Sequence, residues 1–104
     1  MMSTLVRITV SEFCEQEGLS RRTVAELVEC DVARPLNEGS AADWQFDATG
    51  VHWMKRAIRL QRDFELDWVT VATMIDLLRQ RERLLKENQN LRRQLGRFLK
   101  SEEH

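Results

Sequence analysis

The chain has 104 residues, of which 42% are hydrophobic and 32% charged, with one proline and four glycines. This length allows one domain, and the composition excludes a collagen-like, proline-rich or wholly disordered chain. The net charge is −1, but the charges are unevenly distributed. Residues 1–50 carry nine acidic and four basic residues, whereas residues 51–104 carry eight acidic and twelve basic ones. This asymmetry bears on partners and assembly.

Several classes of protein are excluded by what the chain lacks. No stretch reaches the roughly 18 apolar residues of a membrane span, and residues 1–10 lack the apolar core of a secretory signal, so we expect a cytoplasmic protein. Neither His52 nor His104 has a cysteine at zinc-ligand spacing, and there is no glycine-rich phosphate loop and no tyrosine. We expect no enzyme, and therefore no catalytic residue, metal or cofactor.

The first predicted elements are a short strand over residues 5–9 and a helix over residues 10–17. The strand residues alternate and are β-branched. Thr9 is the predicted N-cap of the helix, and Glu12, three residues later, completes a capping box. Gly18 is suited to end the helix.

A second helix is predicted from its N-cap Ser20 to about Cys30. Val24, Leu27 and Val28 fall on one of its faces, at spacings of three and four residues. Two short helices joined by a tight Gly-Leu-Ser turn predict a helix-turn-helix.

Two arginines, Arg21 and Arg22, occupy the first turn of the second helix, where the helix dipole disfavours cations. Two explanations stay open. Either a phosphate or a partner's carboxylate holds them there, or they point to solvent and pair with Glu26.

A small β hairpin, or wing, is expected from residues 32–36 and 44–46. Asp47 or Thr49 then caps a helix that carries Trp53 and Phe64 on its core side. The aromatic residues Trp44, Phe46 and Trp68 have two interpretations. They either form an exposed interface anchor or fasten the wing to the body, which we favour.

From Asp67, a predicted N-cap, the sequence indicates one long helix or two nearly collinear ones. Leucines and a phenylalanine recur every seven residues, with Arg81 and Asn88 at the a positions between them. The predicted dimer seam consists of Leu77, Leu84, Asn88, Leu91, Leu95 and Phe98.

We expect a homodimer, with packing against the preceding helix as the alternative. The charged residues on the other faces, Arg79 and Glu82 among them, indicate that the helix projects from the body. Residues 1–66 would form the head, and residues 67–104 the dimerisation helix of the same domain.

This order of elements resembles that of the MerR-type regulators. It implies a mainly α fold: a MerR-like winged helix-turn-helix with a small β wing and a long C-terminal coiled-coil helix. Arg22 and Thr23 fit the run by which such regulators meet DNA, but Ala25, Glu26 and Leu27 replace its arginine and tyrosines. Because phosphate neutralisation supplies most non-specific DNA affinity, direct DNA binding is not expected from this acidic head.

Five sequence blocks occur in order along the chain: VSEFC at 10–14, WQFD at 44–47, RAIRL at 56–60, LDW at 66–68, and LKEN at 85–88 with Leu91, Arg92, Leu95, Arg97 and Phe98. Together these blocks resemble the chaperone-modulator family CbpM. The resemblance implies binding to the J-domain of CbpA, a DnaJ-type co-chaperone that also binds curved DNA. It implies that binding blocks stimulation of the DnaK chaperone and reduces DNA binding by CbpA. Arg21 and Arg22 stand where family members carry acids.

J-domains present a basic helix, and an acidic surface on the two short helices is suited to cover it. We predict that surface to be Glu12, Glu15, Glu26, Glu29 and Asp31. The alternatives are a MerR-type DNA-binding transcriptional regulator, whose long helix sets half-site spacing, and a redox sensor using Cys14 and Cys30. The direction of the coiled coil is open, since the resemblance implies antiparallel pairing and Asn88 favours parallel pairing.

Overall fold

The computed structural model describes residues 7–102. It is mainly helical, with a small two-stranded sheet and a long C-terminal helix, as the sequence predicts. The elements are β1 (Arg7–Thr9), α1 (Val10–Glu17), α2 (Arg21–Glu29), a 3-10 turn (Ala41–Asp43), β2 (Gln45–Asp47), α3 (Ala48–Phe64) and α4 (Trp68–Glu102). Leu5 and Val6 of the predicted first strand lie outside the described residues.

Local capping defines the two short helices. The backbone N–H of Glu12 donates to Thr9 Oγ1 at 3.1 Å, and the Thr9 N–H donates to Glu12 Oε1 at 3.0 Å. Gly18 ends α1 in the left-handed conformation, with φ 67°. Ser20 then caps α2 by accepting from the Thr23 N–H at 3.3 Å. The predicted bounds and caps of α1 are therefore confirmed.

The predicted wing pairing is wrong. Strand β2 pairs antiparallel with β1, placing Ile8 opposite Phe46. Residues 32–36 form no strand and give β2 one backbone bond, from the Leu36 N–H to the Gln45 carbonyl at 2.7 Å. The physical reason is Pro35, which has no N–H to extend a ladder.

A side chain replaces the missing partner strand. Asn37 Oδ1 accepts from the Gln45 N–H at 2.9 Å, and Asn37 Nδ2 donates to the Asp43 carbonyl at 2.7 Å. Both polar ends of this amide are thereby satisfied, and the loop before β2 is held against the sheet.

One core joins all the helices. Phe13, Leu27, Phe46, Met54 and Ile75 are its largest fully buried side chains, together with several valines. Asp47 caps α3 by accepting from the Gly50 N–H at 2.9 Å, which decides between the two predicted caps. Trp53 is buried as predicted.

Phe64 is a wrong core prediction, because 63% of it is exposed. It is the last residue of α3, and at this corner Leu66 and Trp68 pack against the core instead. Phe46 is fully buried and Trp44 packs partly buried against the core, with the two ring centroids 6.4 Å apart. The interpretation that these aromatics fasten the β segment to the body is confirmed.

Helix α4 gives the molecule its elongated shape. Its 35 residues extend about 52 Å at 1.5 Å per residue. The radius of gyration is 18.1 Å, compared with about 13 Å for a compact chain of 100 residues. Asp67 caps the helix through the Thr70 N–H at 3.3 Å, and Val71 and Ile75 are buried against the head. Within residues 7–102, no helix is long and apolar enough to cross a membrane.

Candidate partner-binding surfaces

Arg79 fastens the end of α2 to α4. Its guanidinium donates from Nη1 to the Asp31 carbonyl at 2.9 Å and from Nη2 to the Val32 carbonyl. Asp31 presents its carbonyl from the left-handed conformation, with φ 62°. The expectation that Arg79 belongs to the solvent-facing charges of α4 is therefore wrong, because Arg79 is half-buried and turned to the head.

Two guanidinium groups lie over the ring of Trp53. The Cζ atoms of Arg56 and Arg79 are each 5.3 Å from its ring centroid. Arg56 Nη1 also lies 3.0 Å from Glu82 Oε1, so Glu82 faces α3 rather than solvent alone. These contacts hold the part of α4 nearest the head in place. Any surface that the head and α4 form together therefore has a defined shape.

The predicted acidic residues fall on two different helices. Glu12 and Glu15 lie on α1, and the hydrogen bonds from Thr9, the backbone bond first, lower the pKa of the Glu12 carboxyl. That carboxylate is committed to the helix cap. Glu29 and Asp31 are exposed at the end of α2, and half-buried Glu26 lies one turn earlier. The structure thus brings Glu26, Glu29 and Asp31 together and leaves Glu12 occupied elsewhere.

Both arginines at the start of α2 have partners within the chain. Arg22 Nε lies 3.6 Å from Glu26 Oε1, and its side chain is 89% exposed. Arg21 Nη2 donates to Ser11 Oγ on α1 at 2.6 Å. The pairing of Arg22 with Glu26 is confirmed, and Arg21 joins the two short helices.

An open groove lies between the end of α2 and the first turns of α4. We call it the α2–α4 groove; its volume is about 520 Å³. Its lining is partly apolar and partly acidic, and comprises Cys30, Asp31, Val69, Ala72, Thr73, Asp76 and the inward-turned Arg79. Sequence reasoning missed Val69 and Asp76. The available signal was Val69 itself, an apolar residue outside the heptad repeat, 68% of which is exposed.

Carboxylates surround Cys30 at this groove. Burial raises the pKa of its thiol, and the charges of Glu29, Glu26, Asp31 and Asp67 raise it further. Because a raised pKa favours the less reactive thiol, the environment does not favour a redox sensor.

The other cysteine, Cys14, is buried in the core, as predicted, and burial also raises its pKa. Both cysteines are free thiols.

Helix α4 carries an apolar stripe that nothing covers among residues 7–102. Every residue from 83 to 102 is exposed. The five apolar residues of the predicted seam are each between 56% and 63% exposed: Leu77, Leu84, Leu91, Leu95 and Phe98. Leu85 and Leu99, which sequence reasoning did not include, are exposed beside them and widen the stripe. Packing against α3 therefore does not cover the seam.

Comparison with known proteins places this architecture in a family. Residues 8–93 match the sequence profile of the MerR HTH family regulatory proteins. The chaperone modulatory proteins CbpM of Salmonella paratyphi B, Salmonella newport and Salmonella heidelberg are each 35% identical to the chain over 99 residues, which is 95% of this chain and 97% of theirs. The chain belongs to the CbpM family. The match spans the head and α4 together, so the groove and the apolar stripe both lie within the part shared with the CbpM proteins.

Proposed function

We propose that this CbpM-family protein modulates a chaperone system by binding the J-domain of a CbpA-type DnaJ homologue. Binding would inhibit both the co-chaperone activity and the DNA binding of that homologue. The single observation that carries the proposal is the family membership over nearly the full chain. We also propose that the protein acts in the cytoplasm, together with this partner.

The charges at the end of α2 support this proposal. Glu26, Glu29 and Asp31 lie within a few residues of one another, and Glu29 and Asp31 are exposed. A basic helix is attracted to such a surface, and this complementarity mainly sets specificity and association rate. We propose Glu15, Glu26, Glu29 and Asp31 as contact residues and give Glu12 a structural role in the α1 cap.

The second candidate is a DNA-binding regulator, and the MerR-type helix-turn-helix favours it. Glu26 and Glu29 argue against DNA binding, because they lie on α2, the helix that would approach the DNA. Phosphates would repel these carboxylates. A steep salt-dependent affinity for duplex DNA, with no affinity for the J-domain, would select this second function.

We also propose a homodimer formed through the apolar stripe of α4. Most of the stability of a helix in a protein comes from packing of its apolar face, and among residues 7–102 nothing covers residues 83–102. Burial of each seam leucine contributes about 1.5–3 kcal/mol, so a paired stripe stabilises the projecting helix.

Two features favour antiparallel pairing of the stripes. Parallel pairing would face Arg81, at an a position, with its own copy in the seam. It would also align residues 92–100, which carry four basic and no acidic side chains, with the same segment of the second copy. Antiparallel pairing separates both sets of like charges.

The test of the proposed function is a calorimetric titration of the protein into the isolated J-domain of its host's CbpA-type co-chaperone. We expect saturable binding. Reversing Glu26→Lys and Glu29→Lys together should weaken it about tenfold or more, corresponding to about 1.4 kcal/mol. The matched control reverses Asp63→Lys and Glu65→Lys at the far end of α3 and should leave the affinity unchanged. No heat from the folded wild-type protein at any salt concentration would contradict J-domain binding.

A further inference from the structure

The surface beside α2 is more specific than a cluster of charges. We infer that the α2–α4 groove docks a basic amphipathic helix of the partner, which lays apolar side chains against Val69 and Ala72 and a Lys or Arg toward Asp31 and Asp76. The identity of the partner as a J-domain rests on the proposed function. The chemistry of the occupant rests on the groove alone.

The α2–α4 groove exposes apolar side chains to solvent. Val69 is 68% exposed beside half-buried Ala72 and Cys30, so apolar surface is open to solvent along the groove. Val69 does not fall on the heptad positions of the apolar stripe, so pairing two stripes does not explain its exposure. An occupant that covers Val69 would remove this apolar area from water.

The groove carries acidic side chains. Asp31 and Asp76 line it, and both are exposed. Arg79 lines it too and donates to the carbonyls of Asp31 and Val32, and its positive charge offsets one of the two carboxylates. With Glu29 nearby, the groove keeps an excess of negative charge, which a cationic side chain of a partner can neutralise.

The length and lining of the groove suit a helix better than a metal ion. Among residues 7–102, no group of three His, Cys, Asp or Glu side chains is arranged to hold a metal ion. The groove extends along α4 from Val69 to Asp76, about 10 Å at 1.5 Å per residue. This is the length of two helical turns, and apolar contact combined with charge suits an amphipathic helix lying in a groove better than a small cation.

The test uses groove variants in the full-length protein. Val69→Lys and Asp76→Lys each place a cation in the groove, and each should weaken J-domain binding at least tenfold in calorimetry. The matched controls, Asn90→Lys and Asp63→Lys, add the same charge at exposed positions outside the groove and should bind as the wild type does. Circular dichroism melting verifies that the variants fold, which their exposed positions predict.

The outcomes separate the groove from the proposed function. If the wild type binds and both groove variants bind equally well, the groove inference is overturned and the proposed function stands. If the variants instead weaken self-association in sedimentation, a second copy occupies the groove, and the inference is again overturned.

If the wild type does not bind the J-domain, the proposed function fails and a synthetic Leu/Lys amphipathic helix becomes the probe. If the wild type binds this peptide and the Val69→Lys variant does not, the groove inference is supported. If the wild type does not bind the peptide, the groove inference is overturned.

Discussion

The guanidinium of Arg79 lies 5.3 Å from the ring centroid of Trp53. The same group donates hydrogen bonds to two backbone carbonyls in the segment that follows α2. One side chain of α4 therefore contacts α3 and the end of the helix-turn-helix at once. Charge-assisted hydrogen bonds and a cation over an aromatic ring hold a group more firmly than an exposed ion pair does. Arg79 thereby helps to hold α4 on the head, together with the buried side chains of Val71 and Ile75.

Replacing Arg79→Ala should lower the free energy of unfolding by about 1–3 kcal/mol, because the part-buried carbonyl of Val32 and the exposed carbonyl of Asp31 lose their donor and Trp53 loses a cation. Urea unfolding at one fixed protein concentration measures this, since a dimer's stability depends on concentration. Arg83→Ala, one turn further along α4 and exposed, is the control and should change stability by less than about 0.5 kcal/mol. Equal effects of the two substitutions would contradict the role of Arg79.

Asn37 is expected to stabilise the β segment through its side-chain amide. Asn37→Ala leaves the part-buried Gln45 N–H without its acceptor and should cost about 1–3 kcal/mol. Asn37→Asp keeps this acceptor but loses the donor to Asp43, so its loss should be smaller. Thermal unfolding ranks the variants, with exposed Glu38→Ala as the control. If Asn37→Ala leaves the unfolding temperature unchanged, the loop holds its conformation without the side-chain amide.

Sequence reasoning succeeded where the cause is local. The bounds of α1 follow from Thr9, Glu12 and Gly18, which act within a few residues of one another. The caps Ser20 and Asp67 are local in the same way. Such signals depend on spacing that the sequence displays directly.

It failed where contacts join distant parts of the chain. The Arg79 guanidinium donates to the carbonyl of Val32, which lies 47 positions away in the sequence. No periodic pattern in the sequence indicates such a contact. The predicted strand partner of β2 was wrong. Residues 32–36 are nearer to β2 in the sequence than β1 is, which favoured them as the partner. Pro35, however, lacks the N–H that a ladder of backbone hydrogen bonds requires. The α2–α4 groove was missed for the same reason, since its two walls come from separate helices.

Acid should remove the contribution of Glu12 to stability. Its pKa is lowered by hydrogen bonds from Thr9, so the folded state favours the carboxylate. The stabilisation is therefore complete above the ordinary glutamate pKa and is lost as the pH falls through the lowered value.

The measurement compares urea unfolding of the wild type and Glu12→Gln from pH 7 to about pH 3. We expect the wild type to be more stable at neutral pH and to lose this advantage in acid. Gln16→Ala, on the same helix and without a titratable group, is the control and should show no such convergence. A difference between wild type and Glu12→Gln that stays constant with pH would contradict the capping role of the carboxylate.

The apolar stripe predicts that a charge in the seam abolishes the proposed dimer. Leu84→Asp should yield a monomer in sedimentation velocity, with reduced helicity because residues 83–102 then lack packing. Lys86→Asp places the same side chain on the outer face of α4 and should remain dimeric. A monomeric wild type, or a dimeric Leu84→Asp, would refute this seam.

Cysteine cross-linking should reveal the direction of the coiled coil. In a Cys30→Ser background, Asn88→Cys forms a disulfide with its own copy only if the helices are parallel. We expect no such product. If the antiparallel helices cross between positions 84 and 88, the Leu84→Cys and Asn88→Cys proteins should cross-link when mixed, because antiparallel pairing sets an a position against a d position. Efficient self-linking of Asn88→Cys would establish parallel pairing instead.

Chaperone modulation is the central claim, and the steady-state ATPase rate of the host's DnaK-type chaperone tests it most directly. The rate is measured with the CbpA-type co-chaperone present while this protein is added in increasing amounts. We predict that the stimulated rate falls to the unstimulated rate as the protein saturates the J-domain, and that the Glu26→Lys/Glu29→Lys double variant requires about ten times more protein. A stimulated rate that stays constant through saturating amounts of folded protein would contradict the account.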